Sequence, residues 1–177
     1  WNDDAMAGLA LYRALTGLGA PFINHLLRRR LAAGKEHPER FPERRGIASR
    51  PRPRGPLAWV HAAGVGEAQS ALALIEKMLR ARIDLHVLIT TGTVTSAKIL
   101  AERLPPRGFH QFVPIDRLVW VRRFLDHWEP DMAIWIESEF WPNLISETAK
   151  RRIPAVLVNG RISRKSAANW RYLPGFI

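Results

Sequence analysis

Trp59-Val60-His61-Ala62-Ala63-Gly64-Val65-Gly66-Glu67 is the stretch that decides the architecture of this chain. An apolar strand runs into two glycines and ends on an acid, and a helical pattern follows. Apolar positions Ala71, Leu72, Leu74, Ile75, Met78 and Leu79 fall on one face of a helix over 67–81. The same alternation then repeats. Strands are expected at 57–61, 85–90, 109–114, 132–136 and 155–158, with helices at 95–104, 118–128 and 141–151 between them. Continuous apolar strands alternating with helices imply an α/β fold, a parallel sheet covered on both faces.

In such sheets ligands bind outside the carboxyl ends of the strands. The loops expected there carry Glu67, Thr91, Thr93, Thr95, Asp116, Glu137, Glu139, Asn159 and Arg161. Gly64-Val65-Gly66 invites a dinucleotide-binding reading, which fails on two counts. The third glycine position of that fingerprint is Gln69, and Glu67 stands at the helix start, where a pyrophosphate would need positive potential. Glu67 itself has two readings. It is an acid stabilised by the helix dipole, or a general base whose surroundings Gly64 and Gly66 keep free of side-chain bulk. Glu137-Ser138-Glu139 offers two carboxylates that share a side if the strand continues. His61 reads as a satisfied core histidine. The six histidines lack metal-ligand spacing, so no metal site is expected.

The net charge of +11 suggests an anionic partner, and +7 of it lies within residues 28–54. The chain contains no cysteine, which excludes disulfides and a thiol nucleophile. Residues 1–33 form an apolar segment, with Arg13 the one charge between Ala5 and Leu27, closed by Arg28-Arg29-Arg30. A central arginine disfavours a clean span. An interfacial helix or hairpin against anionic headgroups fits better, the alternative being an amphipathic helix packed on the domain. Residues 34–56 are expected to be an extended, basic, Pro/Arg-rich linker, and residues 57–177 the folded domain.

These motifs resemble the Kdo (3-deoxy-D-manno-octulosonic acid) transferases, in the N-terminal acceptor domain. The resemblance rests on Leu11-Tyr12-Arg13, Gly34-Lys35-Glu36, the opening stretch, Thr90-Thr91-Gly92-Thr93-Val94-Thr95, Val113-Pro114-Ile115-Asp116, Glu137-Ser138-Glu139-Phe140-Trp141-Pro142-Asn143-Leu144-Ile145 and Val158-Asn159-Gly160-Arg161-Ile162-Ser163, in order and spacing. It implies a GT-B glycosyltransferase made of two Rossmann-like halves, of which this chain supplies the acceptor half and lacks the donor half, so that it is expected to be inactive alone. It implies transfer of Kdo from CMP-Kdo to a lipid A precursor in lipopolysaccharide biosynthesis, with no cofactor or metal, at the cytoplasmic face of the bacterial inner membrane. Glu67 then matches the catalytic base and Glu137 a supporting acid. Gly64, Gly66, Thr93, Thr95 and Arg161 fall in matching motifs as acceptor-binding candidates; Lys98 and Arg123 join them on charge alone. Gly64 departs from the pattern, which has Ser there. The rival reading is a non-catalytic basic α/β module for phosphorylated lipid or nucleic acid; under the transferase reading, no nucleic acid is expected.

Overall fold

The computed structural model describes residues 3–136 and 141–158. Two helices open it, α1 (Asp3–Leu18) and α2 (Ala20–Ala32), followed by a 3-10 helix at Phe41–Arg45. The α/β alternation is β1 (Leu57–Ala62), α3 (Val65–Ala81), β2 (His86–Thr91), α4 (Val94–Arg103), β3 (Gly108–Phe112), α5 (Leu118–Trp128), β4 (Met132–Ile136), α6 (Pro142–Lys150) and β5 (Ala155–Val158). All strands pair in parallel, in the order β3-β2-β1-β4-β5. The expected β/α domain is therefore present, with element ends moved by one to two residues. The helix expected from Glu67 begins at Val65, because Gly64 is extended and acts as its N-cap.

β1 is central and every one of its residues is buried, which is why its sequence is apolar throughout rather than alternating. Its two faces feed two cores. Ala58, Val60 and Ala62 meet Leu72, Ile75 and Leu79 of α3 and Leu100 of α4. Leu57 and Trp59 meet Val121, Phe124 and Leu125 of α5 and Leu144 of α6. Each such aliphatic side chain removed from water contributes about 1.5–3 kcal/mol. Strand order also fixes where a ligand can sit. From β1 the chain winds outward through β2 to β3, then returns to β4 on the other side of β1. The switch lies between β1 and β4, where Ala62 pairs with Ile136, and the crevice opens beyond that pair.

Residues 34–56 differ from the expected extended linker. Glu36, Glu43 and Arg44 are buried. Glu43 accepts hydrogen bonds from the Phe112 backbone N–H at 2.7 Å, from Arg40 Nε and Nη2 at 2.9 Å each, and from Ser49 Oγ at 2.6 Å. Arg44 Nη1 donates to the Val113 carbonyl at 2.7 Å, and Ile115 N–H donates to the Arg44 carbonyl. The segment thus covers the free edge of β3 and satisfies groups that an open edge would leave to another chain. Gly46 closes the 3-10 helix at φ +73°, and a Cβ there would stand 2.0 Å from the Trp120 carbonyl oxygen, so only glycine fits.

α1 and α2 meet at a 61° bend. Pro21 has no N–H to continue α1, and Gly19 packs against the Leu15 carbonyl. No single helix among the described residues is long and apolar enough to cross a membrane; the bent pair passes by length and composition only. The inner side of α1 is pinned to the domain. Tyr12 donates to Asp116 Oδ2, and Arg13 donates to Asn143, Ser146 and Glu147 of α6. The outer side exposes Leu11, Leu15 and Leu18, continued by Phe22 and Leu26 of α2.

Candidate active site at the carboxyl edge of the sheet

β1 delivers Glu67 to this edge within five residues. Gly64 N–H donates to Glu67 Oε2 at 3.1 Å, and Ala68 N–H donates to the Gly64 carbonyl. The carboxylate is therefore held at the third helical position, folded back over the start of α3, where the helix dipole favours its ionised form. This geometry shows the helix-start reading of Glu67 directly and bears on the other. Oε2 serves as the cap, while Oε1 accepts no hydrogen bond among the described residues and keeps a free lone pair, as a base requires. The side chain is half-buried. A Cβ at Gly64 would stand 3.0 Å from Oε2, whereas one at Gly66 would meet nothing within 4 Å. Only Gly64 contributes close approach to the carboxylate.

Close enough to feel the Glu67 charge, His61 is fully buried at the end of β1. Its Nδ1 lies 3.0 Å from Thr90 Oγ1, which also accepts from Trp59 Nε1. The Thr90 hydroxyl thus meets both Trp59 and the His61 ring, whose other nitrogen is Nε2. That Nε2 has no partner among the described residues, which corrects the expectation of a satisfied core histidine. Burial pushes the ring down to a pKa of about 4, against opposing pulls from the Thr90 backbone and the nearby Glu67 charge. Gln111, Thr90, His61 and Trp135 form one row across β3, β2, β1 and β4. Gln111 Nε2 and Trp135 Nε1 are likewise buried without partners.

A cavity of about 390 Å³ opens at the same edge, lined by Ala63, Gly92, Thr93, Pro114, Asp116 and Trp141, with Arg30 and Arg44 reaching in from the N-terminal segment. Gly92 N–H donates to the Ala63 carbonyl, which ties this cavity to the turn carrying Glu67. Of the threonines singled out in the sequence, Thr93 lines the cavity and caps α4 through Ser96 N–H at 3.1 Å. Thr95 and Lys98 are exposed on α4 and do not line it. Arg123 is exposed on α5, donates to the Arg45 carbonyl and stands apart from the cavity. Glu137, Glu139, Asn159 and Arg161 lie outside the described residues.

Asp116, grouped with the crevice acids by sequence, has a definite structural task. Its carboxylate accepts from Asn143 N–H and Leu144 N–H at 2.9 Å each and from the Tyr12 hydroxyl at 2.9 Å. It caps α6 from a distant loop, because Pro142 starts that helix and Trp141 offers no side-chain cap. Burial raises its pKa, and the three donors oppose the shift. The two cavity arginines were not legible as site residues, because α2 and the segment after it carry no motif that points to the edge of a sheet. Among the described residues no group of three or more His, Asp or Glu could hold a metal ion.

The family model described as 3-deoxy-D-manno-octulosonic-acid transferase (kdotransferase) matches residues 39–177. The chain belongs to this family. It is 42% identical over 160 residues to a protein of Arabidopsis thaliana named probable 3-deoxy-D-manno-octulosonic acid transferase, mitochondrial, covering 90% of this chain and 36% of that protein. It is 39% identical over 168 residues to the 3-deoxy-D-manno-octulosonic acid transferase of Rickettsia bellii, covering 95% of this chain and 40% of the relative. A third relative of that name, from Rickettsia typhi, is 48% identical over 114 residues, 64% of this chain and 24% of its own length. The chain thus spans well under half the length of these relatives. The family is one of glycosyltransferases, and the five-stranded parallel sheet with its helices is consistent with the N-terminal half of a GT-B enzyme.

Proposed function

We propose that this chain is the acceptor-binding half of a transferase that moves Kdo from CMP-Kdo to a lipid A precursor, with Glu67 as the general base. The observation that carries the reading is the Glu67 carboxylate, held by one oxygen and free at the other, at the switch point of the sheet. Glu67 Oε1 removes the proton from a primary hydroxyl of the acceptor sugar. The hydroxyl oxygen forms its bond to the anomeric carbon of Kdo as the bond to CMP breaks, and the phosphate leaves with the electron pair. The capping bond from Gly64 N–H fixes the angle of the carboxylate and spares the reaction the cost of orienting it. Glu137 is proposed to support Glu67, and Arg161 to meet an anionic group of a substrate; both roles rest on the family resemblance.

The acceptor is a lipid, and the outer face of α1 and α2 suits it. Leu11, Leu15, Leu18 and Phe22 are more than 60% exposed, and Arg28 and Arg29 are exposed on the last turns of α2. An apolar stripe flanked by cations favours an anionic membrane surface, here the cytoplasmic face of the inner membrane. The nucleic-acid alternative draws less support. Arg30, Arg40, Arg44 and Arg52 bind groups of the chain itself, and Arg50 lies over the Phe109 ring, so much of the basic segment's charge is committed internally.

The test is Glu67→Gln in a transferase of the relatives' length that carries this chain. Glutamine keeps an oxygen for the Gly64 bond and removes the basic lone pair. Transfer from CMP-Kdo should fall at least 100-fold, the scale of a lost general base, with an unchanged circular-dichroism spectrum. Turnover within a few-fold of wild type would remove Glu67 from the mechanism.

A further inference from the structure

Trp59, Trp120, Trp128 and Trp135 are each 5% exposed or less, whereas Trp141 is 41% exposed. It lines the cavity at the carboxyl edge of the sheet together with Ala63, Gly92, Thr93 and Asp116. An indole left partly in water forgoes the stabilisation that burial gives the other four. Its backbone is nevertheless fixed from several directions. A proline confines the residue before it to extended angles, and Trp141, before Pro142, sits at φ −96° and ψ 119°. Its carbonyl accepts from Ile145 N–H at 3.0 Å. The Asp116 carboxylate holds the Asn143 and Leu144 N–H groups just beyond it. The ring is therefore carried by the clamped start of α6, and only its side chain faces solvent.

We propose that Trp141 is the platform on which a pyranose ring of the acceptor stacks, and that it sets the plane in which that sugar meets the base. The inference rests on the acceptor-half reading above. The face of an aromatic ring is negative. The C–H groups on one face of a pyranose are weakly positive, so the sugar lies flat on the indole while the hydroxyls at its rim turn to polar groups. The cavity lining has that composition: an exposed aromatic, with the Thr93 hydroxyl and the Arg30 guanidinium among its polar members. Ala63 lies on the same lining and stands four residues before Glu67 in the turn that carries the carboxylate. Fixing the plane of the sugar restricts the directions open to a hydroxyl attached to it, which lowers the cost of aligning that hydroxyl with a base. An indole suits the task because it has two side-chain torsions and little freedom to lose. An acyl chain suits this lining less. It would strip water from Arg30 and Asp116, whereas Leu11, Leu15 and Leu18 of α1 offer it an apolar surface.

The experiment uses a transferase of the relatives' length that carries this chain, as wild type, Trp141→Leu and Trp141→Phe. The probe is the deacylated sugar headgroup of the lipid A precursor, measured as an inhibitor that competes with the intact precursor. Leucine keeps apolar bulk and removes the aromatic face. Its inhibition constant for the headgroup and its KM for the precursor should both rise roughly five- to tenfold, the scale of one aromatic contact. Phenylalanine should restore most of that loss. KM for CMP-Kdo, flotation with vesicles of phosphatidylcholine and phosphatidylglycerol, and the circular-dichroism spectrum should not change in either variant. Headgroup inhibition as strong in Trp141→Leu as in wild type overturns the platform and leaves the acceptor reading intact. A loss confined to vesicle flotation would assign Trp141 to the bilayer, and a loss confined to KM for CMP-Kdo would assign it to the donor half; either overturns the platform. A wild type that does not use the precursor at all would overturn the acceptor reading and the platform with it.

Discussion

Two neutral histidines, one buried and one half-buried, should make this fold sensitive to mild acid. Burial pushes His61 down to about 4 and, with the Arg40 guanidinium beside it, His110 down to about 3. Arg40 Nη2 can only donate to His110 Nδ1 at 2.8 Å, so Nε2 carries the proton and donates to Thr91 Oγ1 at 2.9 Å. A second proton would place an N–H against a guanidinium. Both folded-state values lie below the ordinary histidine value of about 6.5, so the unfolded chain binds more protons than the native one across this interval. The contribution of each ring is fully present above about pH 6.5 and is lost as pH falls towards 4 for His61 and 3 for His110. At about pH 4.5, two pH units below the unfolded value, each costs on the order of 3 kcal/mol. Both together approach the whole stability of a marginal domain. Urea denaturation followed by circular dichroism, at about pH 7 and about pH 4.5, should compare wild type with His61→Asn and His110→Asn. Each variant should be less stable than wild type near neutrality by about 1–2 kcal/mol, from lost packing and hydrogen bonding. That deficit should vanish or reverse at the lower pH. A deficit equal at both pH values would show that the rings titrate normally in the fold and would refute the reasoning.

Three further outcomes follow from the geometry. Gly64→Ser supplies the missing cap oxygen of a Ser-x-x-Glu box and should raise the urea midpoint slightly, by a few tenths of a kcal/mol, whereas Gly64→Ala should lower it; a serine variant less stable than the alanine one would mean that Glu67 cannot yield to a Cβ 3.0 Å from its Oε2. Asp116→Ala should cost about 2 kcal/mol and speed amide exchange at the start of α6 and along α1, while Tyr12→Phe should cost about 1 kcal/mol and affect α1 alone; equal exchange patterns in the two variants would contradict the double role of Asp116. Glu43→Gln should destabilise the domain by roughly 3 kcal/mol by leaving Arg40 uncompensated at the β3 edge, and a urea midpoint unchanged from wild type would show the edge cover to be dispensable.

The α/β alternation was legible because each strand is a short apolar run bounded by turns, and burial on both faces forbids any other pattern in β1 or β4. The place of Glu67 at the start of α3 was legible for a local reason: its partner is the backbone N–H three residues before it. Sequence reasoning failed where the partner is far along the chain. The charge of residues 28–54 could be summed, but not the fact that Glu43 and Arg44 serve Phe112 and Val113, 69 residues on. Asp116 carried no sign that its carboxylate would cap a helix 27 residues away. His61 looked like a core residue and is one, but its unpartnered Nε2 depends on the row that Gln111, Thr90 and Trp135 complete.

The attachment of α1 has a further consequence. Tyr12 and Arg13 fasten its inner side to the loop before α5 and to α6, while Leu11, Leu15 and Leu18 project from the opposite side. The distance between that apolar stripe and the Glu67 carboxylate is therefore a fixed dimension of the fold. Under the proposed function it would act as a gauge on a bilayer: a hydroxyl carried at one height above the acyl chains would reach Glu67. Tyr12→Phe and Arg13→Gln would lengthen or slacken that gauge without touching the reacting atoms.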